Sequence, residues 1–192
     1  MRFVHRSLLL VATTVGLAAG AGAQDRALFG MFSVGPALPM GTFADDFGAG
    51  WSLSAGVGRA LANRKVEVRA TATYGSFGVS SALGGGSGTS TPFGLTADLL
   101  YRLGKADAPL RPYLVGGAGI SSVGYSSEYS YEPGGGGSSY SERDNGMTVG
   151  AGGGVIAHRG RTGFFAEARY AIVTGSDHSH LPITVGVRIG AR

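Results

Sequence analysis

Five consecutive residues, Ser176-Asp177-His178-Ser179-His180, form the densest group of reactive side chains in this sequence. A hydroxyl beside an imidazole, with a carboxylate close by, is the raw material of nucleophilic acyl transfer: the imidazole takes the hydroxyl proton and the carboxylate orients the ring. Asp177, His178 and His180 are also residue types that hold metals. The spacing works against both chemistries. His178 directly precedes Ser179, and adjacent residues of a strand point to opposite faces. A loop of mixed polar residues is the commoner meaning of such a run. We therefore expect no catalytic residue and no metal site, with His178, Ser179 and Asp177 as the fallback set.

A second group has charge rather than nucleophilicity. Glu67, Arg69, Asp98, Arg102, Glu167, Arg169 and Arg188 each fall on the polar side of an alternating segment. If those sides share one interior, three acids and four bases meet there, and buried charges persist only when paired. The expectation is a lumenal salt-bridge network, with a narrow polar conduit as the alternative. A third group is Tyr125, Tyr129, Tyr131 and Tyr140, set among Ser, Gly and Glu in the longest polar stretch. Stiff aromatics among small residues make adaptable binding surfaces, and the same composition also suits a disordered surface loop. The glycine runs 84–88 and 134–137 lack the following Lys and helix of a phosphate-binding loop. No cofactor is expected.

These residues need walls to hold them, and the alternation supplies the walls. In 66–74, Val66, Val68, Ala70, Ala72 and Tyr74 oppose Glu67, Arg69, Thr71 and Thr73. In 164–172, Phe164, Ala166, Ala168, Tyr170 and Ile172 oppose Phe165, Glu167, Arg169 and Ala171. Segments 93–103 and 183–189 alternate likewise, Leu100 being the one apolar residue on a polar side. Segments 28–35, 51–61, 113–125 and 147–157 are rich in Gly, Ala and Ser, and their spacing makes them strands too. An eight-stranded barrel has an interior just wide enough for side chains, so small inward residues help fill it. Tyr74, Phe93, Tyr101, Tyr113, Tyr125, Phe164 and Tyr170 fall near strand ends, as interface girdles do.

The eight segments are joined alternately by short connections (62–65, 104–110, 158–162) and mostly longer ones (36–48, 80–91, 126–145, 174–180). This is an up-and-down meander with both ends on the short-turn side. The long loops carry Asp45, Asp46, Glu128, Glu132, Glu142, Asp144 and Asp177 against Arg143. The short turns and their flanks carry Arg59, Arg64, Lys65, Lys105, Arg111, Arg159 and Arg161 against Asp107.

Residues 1–23 read as a cleaved signal peptide: Arg2, His5 and Arg6, an apolar run from Leu8 to Leu17, then Ala21-Gly22-Ala23. The run is too short for a membrane-spanning helix, and no later stretch reaches about 20 apolar residues. The chain has no Cys, which excludes a disulfide scaffold and a lipidated N-terminal Cys. Without Arg2 and Arg6 the formal net charge falls from +4 to +2, so nucleic acid is not an expected partner.

With this signal, strand count, loop rhythm and alternating final strand, region 24–192 resembles the small outer-membrane β-barrel proteins, the OmpA/OmpX-like and opacity-protein-like group. It departs from them in ending on Gly190-Ala191-Arg192 rather than on an aromatic residue. The resemblance implies an all-β, eight-stranded antiparallel transmembrane barrel in a bacterial outer membrane. Short turns would be periplasmic and acidic loops at the cell surface. It implies a non-enzymatic structural or surface-interaction role, outer-membrane lipids and lipopolysaccharide as partners, an extracellular ligand on the long loops, and a monomer. Two alternatives of other classes stand beside it. One is a rim hydrolase acting on lipid A through His178 and Ser179, although the barrel deacylases separate their His and Ser by one residue. The other is a soluble periplasmic barrel. A barrel palmitoyltransferase carries an N-terminal amphipathic helix that this chain replaces with an early strand.

Overall fold

Strands that alternate apolar and polar residues can bury one face only against one another, and closing the sheet on itself does this while leaving no edge. A computed structural model of the chain describes residues 28–61, 65–79, 87–105, 108–129 and 138–190. They form strands β1 (Leu28–Met40), β2 (Gly50–Ala60), β3 (Val66–Gly78), β4 (Ser87–Arg102), β5 (Leu110–Tyr129), β6 (Ser138–Arg159), β7 (Thr162–Val173) and β8 (Ser179–Gly190). Each pairs antiparallel with its neighbour in sequence order, and β1 closes on β8 from Phe29↔Gly190 to Met40↔Ser179. The result is the eight-stranded up-and-down barrel expected from the sequence. The segment read as a signal peptide lies outside the described residues.

The strands outrun their sequence signal at the long-loop end. Residues 36–40, 87–91, 126–129 and 138–145, which the sequence pattern assigns to loops, continue the ladders. β5 and β6 pair without a break from Leu110↔Ala157 to Tyr129↔Ser138. Three of these extensions are Ser-rich and the first reads Pro-Ala-Leu-Pro-Met, so no apolar-polar alternation marks them although Ala37 and Ser90 are buried, and backbone hydrogen bonds continue the ladders through them. The first long loop contains a single helical turn, α1 (Phe43–Asp46), which drops Phe43 into the barrel mouth against Ala37 and Phe77. At the opposite end Gly160 adopts φ +64° in the tight turn from β6 to β7, a conformation open to Gly at little cost.

The outer face is apolar around the barrel. Phe32, Val34, Trp51, Val57, Val68, Leu99, Leu114, Ile120, Val149, Ile172, Val185 and Ile189 are all exposed. Tyr74, Phe93, Tyr101, Phe164 and Tyr170 project outward as girdle positions require, with the Trp51 and Tyr74 rings 5.6 Å apart. Tyr113 and Tyr125 correct that reading. Tyr113 is 4% exposed and lies inside, because its position matches Val115 in strand phase. Tyr125 also turns inward and packs on Phe47. Leu100, out of place in a polar row, belongs to an interior apolar cluster with Tyr113, Val115, Ile156 and Phe165.

Glycine facing the lumen makes room for this filling. A Cβ on Gly154 would stand 2.6 Å from the Tyr113 ring and hydroxyl, and one on Gly150 would stand 2.8 Å from Arg169 Nε. The wall of β6 is thin where its neighbours' side chains are thick.

Candidate functional site: the charged lumen and its aromatic plug

All seven inward charges lie in the lumen, and the structure brings them together in two groups. In the central group, Arg69 on β3 donates from Nε to Asp98 Oδ2 at 3.1 Å, and from Nη1 and Nη2 to Glu167 at 2.9 and 3.0 Å. Arg169 Nη1 meets Asp98 Oδ1 at 2.7 Å. Thr71 Oγ1 donates to Asp98 Oδ2 at 3.0 Å, and the Tyr113 hydroxyl donates to Glu167 Oε2 at 2.8 Å. Two acids, two bases and two hydroxyls thus neutralise and hydrogen-bond one another. In the second group, nearer the short turns, Glu67 accepts from Arg188 Nη1 at 3.0 and 2.8 Å and pairs with Arg102. The Arg188 guanidinium also stacks 3.4 Å over the Phe29 ring, a cation–π contact.

No side chain among the ion pairs is more than 12% exposed, so the barrel is filled at this level. β3 and β7 lie four strands apart in the ring of eight, so the Arg69–Glu167 pair ties opposite walls. Arg69 makes this connection because its planar guanidinium offers donors along two edges, one for each carboxylate.

Two lumenal participants fall outside the sequence-derived set. The sequence pattern puts Tyr113 with the girdles and Arg111 with the bases of the short turns. Arg111 instead points inward and is 4% exposed. Strand phase carries the signal for both, since Arg111, Tyr113 and Val115 share one side of β5.

The long-loop end has different chemistry. His178 is fully buried, its ring centroid 4.1 Å from Phe43, 5.6 Å from Phe77 and 4.8 Å from His180. Neither ring nitrogen of His178 has a hydrogen-bond partner among the described residues. Burial, aided by repulsion from His180, holds the His178 pKa down at about 3. The ring is therefore neutral at ordinary pH and acts as an aromatic packing element. Ser179 Oγ donates to the Met40 carbonyl at 2.7 Å, and Asp177 is exposed. The three fallback residues are thus not assembled as nucleophile, base and orienter. No cluster of three or more His, Cys, Asp or Glu suited to a metal occurs among the described residues.

Between plug and central network lies a cavity of about 60 Å³, into which Ser52, Thr96, Ser121, Thr148, Arg169 and His180 face. Of the loop tyrosines, Tyr125 tilts against Phe47 at 6.0 Å, while Tyr140 is exposed and donates to Glu142 at 2.6 Å. The Tyr129 side chain and Tyr131 lie outside the described residues.

A closed antiparallel barrel of eight strands, apolar outside and filled with paired charge inside, is the architecture of the small outer-membrane β-barrel class. Solved structures of that class match this chain in fold. The Neisserial surface protein A matches at 16% identity over 86% of this chain and 99% of its own, with a TM-score of 0.53. Ail, the attachment invasion locus protein of Yersinia pestis, matches at 15% over 88% and 99%, also at 0.53. A major outer membrane protein from Thermus thermophilus matches at 10% over 88% and 100%, at 0.59. No protein-family model and no curated protein matches the sequence.

Proposed function

We propose that this protein resides in the outer membrane as a non-enzymatic barrel with a structural or surface-interaction role. Its lumen is closed by the two salt-bridge groups, and its acidic loops face the exterior. The observation that carries this reading is the reversal of the usual order: large apolar side chains cover the outside while charged ones are packed within. A soluble barrel would hold that apolar surface against water at about 25 cal/mol per Å². Lipid removes the penalty, which favours the membrane over a soluble periplasmic form. Outer-membrane lipids and lipopolysaccharide are then the immediate partners of a monomeric barrel. The long-loop rim, with Tyr140 exposed above it, is the place for an extracellular ligand. Ail has been solved with the heparin analogue sucrose octasulfate, which makes a sugar-borne ligand a reasonable first probe.

Membrane fractionation followed by electrophoresis with and without boiling tests the reading. The expected result is an outer-membrane band whose migration shifts on heating, because a closed barrel resists detergent until heat opens it. Asp177→Cys should label from outside intact cells, and Lys105→Cys should label only after the outer membrane is breached. A soluble, unshifted band would end the proposal.

A further inference from the structure

Among the described residues the lumenal charge balances in one group and fails to balance in the other. Arg69, Arg169, Asp98 and Glu167 cancel. Toward the short turns, Glu67 alone faces Arg102 and Arg188, and Arg111 adds a third guanidinium. Arg102 pairs across strands with Tyr113, so Arg111, two residues before Tyr113 and on the same inward face, is its diagonal neighbour, about 7–8 Å away. Arg111 forms no ion pair among the described residues, and its buried Nε has no hydrogen-bond partner there. Beside it, His158 on β6 feels the charges of Arg102, Arg188, Arg111 and Glu67 together.

A buried guanidinium without a counter-charge is strongly disfavoured, and solvation by a few waters offsets that penalty poorly. Among the described residues three guanidiniums thus share one carboxylate, which leaves donors free for a second anion. Their flat forks suit two-oxygen recognition. We propose that Arg102, Arg111 and Arg188 form a seat for a phosphate-type oxyanion in the short-turn mouth of the lumen. Glu67 limits its affinity by occupying part of the same donors. The oxyanion can be a soluble phosphate or the phosphate of a lipid headgroup reaching the mouth.

The test uses the protein purified from membranes into an uncharged sugar detergent. Inorganic phosphate is titrated at constant ionic strength, with chloride as the control, and binding is read by calorimetry and by the temperature of the heat-induced gel shift. Saturable phosphate binding that raises this temperature is expected. Arg111→Met should weaken it about tenfold or more, whereas Glu67→Gln should strengthen it, a direction that simple damage to the barrel does not produce. If Arg111→Met fails to give the folded band, Arg111→Lys, which keeps the charge and loses the fork, takes its place. Repeating the titration in bilayers with and without phosphatidylglycerol separates the sources. Phosphate binding that the anionic lipid abolishes assigns the seat to a headgroup, and binding it leaves unchanged assigns it to the soluble ion. Wild-type protein that binds phosphate no better than chloride, or a folded Arg111→Met that binds as wild type does, overturns the proposal.

Discussion

Arg69 and Glu167 meet as a two-pronged ion pair at 2.9 and 3.0 Å although their strands stand on opposite walls of the barrel. Most contacts in a barrel join neighbouring strands. This one sets the distance between β3 and β7 directly, and it shares Arg69 with Asp98, so three strands are fixed by one side chain.

Removing Arg69 should therefore cost more than removing either carboxylate. Arg69→Met leaves Glu167 with only Tyr113 and Asp98 with Arg169 and Thr71, and a loss of about 3–5 kcal/mol is expected. Glu167→Gln keeps the shape and leaves Arg69 its Asp98 partner, so a smaller loss is expected. Urea midpoints of the refolded barrels give the order directly; equal midpoints would mean that the cross-lumen pair adds nothing to stability.

Gly154 and Tyr113 are two halves of one packing arrangement. Gly154→Val should destabilise by about 1–3 kcal/mol, since its Cβ would meet both the Ala166 carbonyl oxygen and the Tyr113 ring. Tyr113→Phe keeps the ring but ends the hydrogen bond to Glu167, at about 1–3 kcal/mol. In the double variant Gly154→Val with Tyr113→Ala, relief of the ring part of the clash should make the cost less than the sum of Gly154→Val and Tyr113→Ala measured singly, while the contact with the Ala166 carbonyl remains.

Acid should loosen the long-loop end before the rest. His178 takes a proton near pH 6.5 when unfolded but only near about 3 when packed against Phe43 and Phe77. Its neutral form thus contributes stability that is complete above about pH 6.5 and declines as the pH falls toward 3, by up to about 1.4 kcal/mol per pH unit. His178→Phe keeps an aromatic ring in place and should flatten that slope. Protease cleavage in the segment containing α1, followed from neutral to acid pH in both proteins, measures the difference; identical profiles would remove His178 from the cause.

Legibility in the sequence depends on whether a face has to be buried. Where one side of a strand meets the lumen and the other an apolar exterior, as in β3 and β7, the alternation fixes strand, phase and inward charges together. Above the barrel proper, both faces of β5 and β6 are polar, so no period marks them and the strands read as loops. α1 is only four residues long, too short for a helical period, and its role comes from where Phe43 lands. Tyr113 is hidden by a conflict between two signals: proximity to a strand end suggests a girdle, but counting by twos from Val115 places it inside. The ion pairs are legible as a set of residues, whereas the choice of partners needs the register, because Arg69 finds Glu167 across the lumen and not on an adjacent strand.

The unbroken pairing of β5 with β6 fixes how far the protein can reach. At about 3.3 Å per residue, 20 paired residues make a ribbon about 65 Å long, of which crossing a bilayer takes about 9–11 residues. About half of the ribbon therefore stands clear of the apolar belt, with β4 bracing one side up to Ser87↔Glu128. Tyr129 and Ser138 form the last described pair of this mast. With strands tilted about 45°, a peptide tag inserted directly after Tyr129 would begin about 20 Å beyond the lipid, at a height set by the paired backbone beneath it.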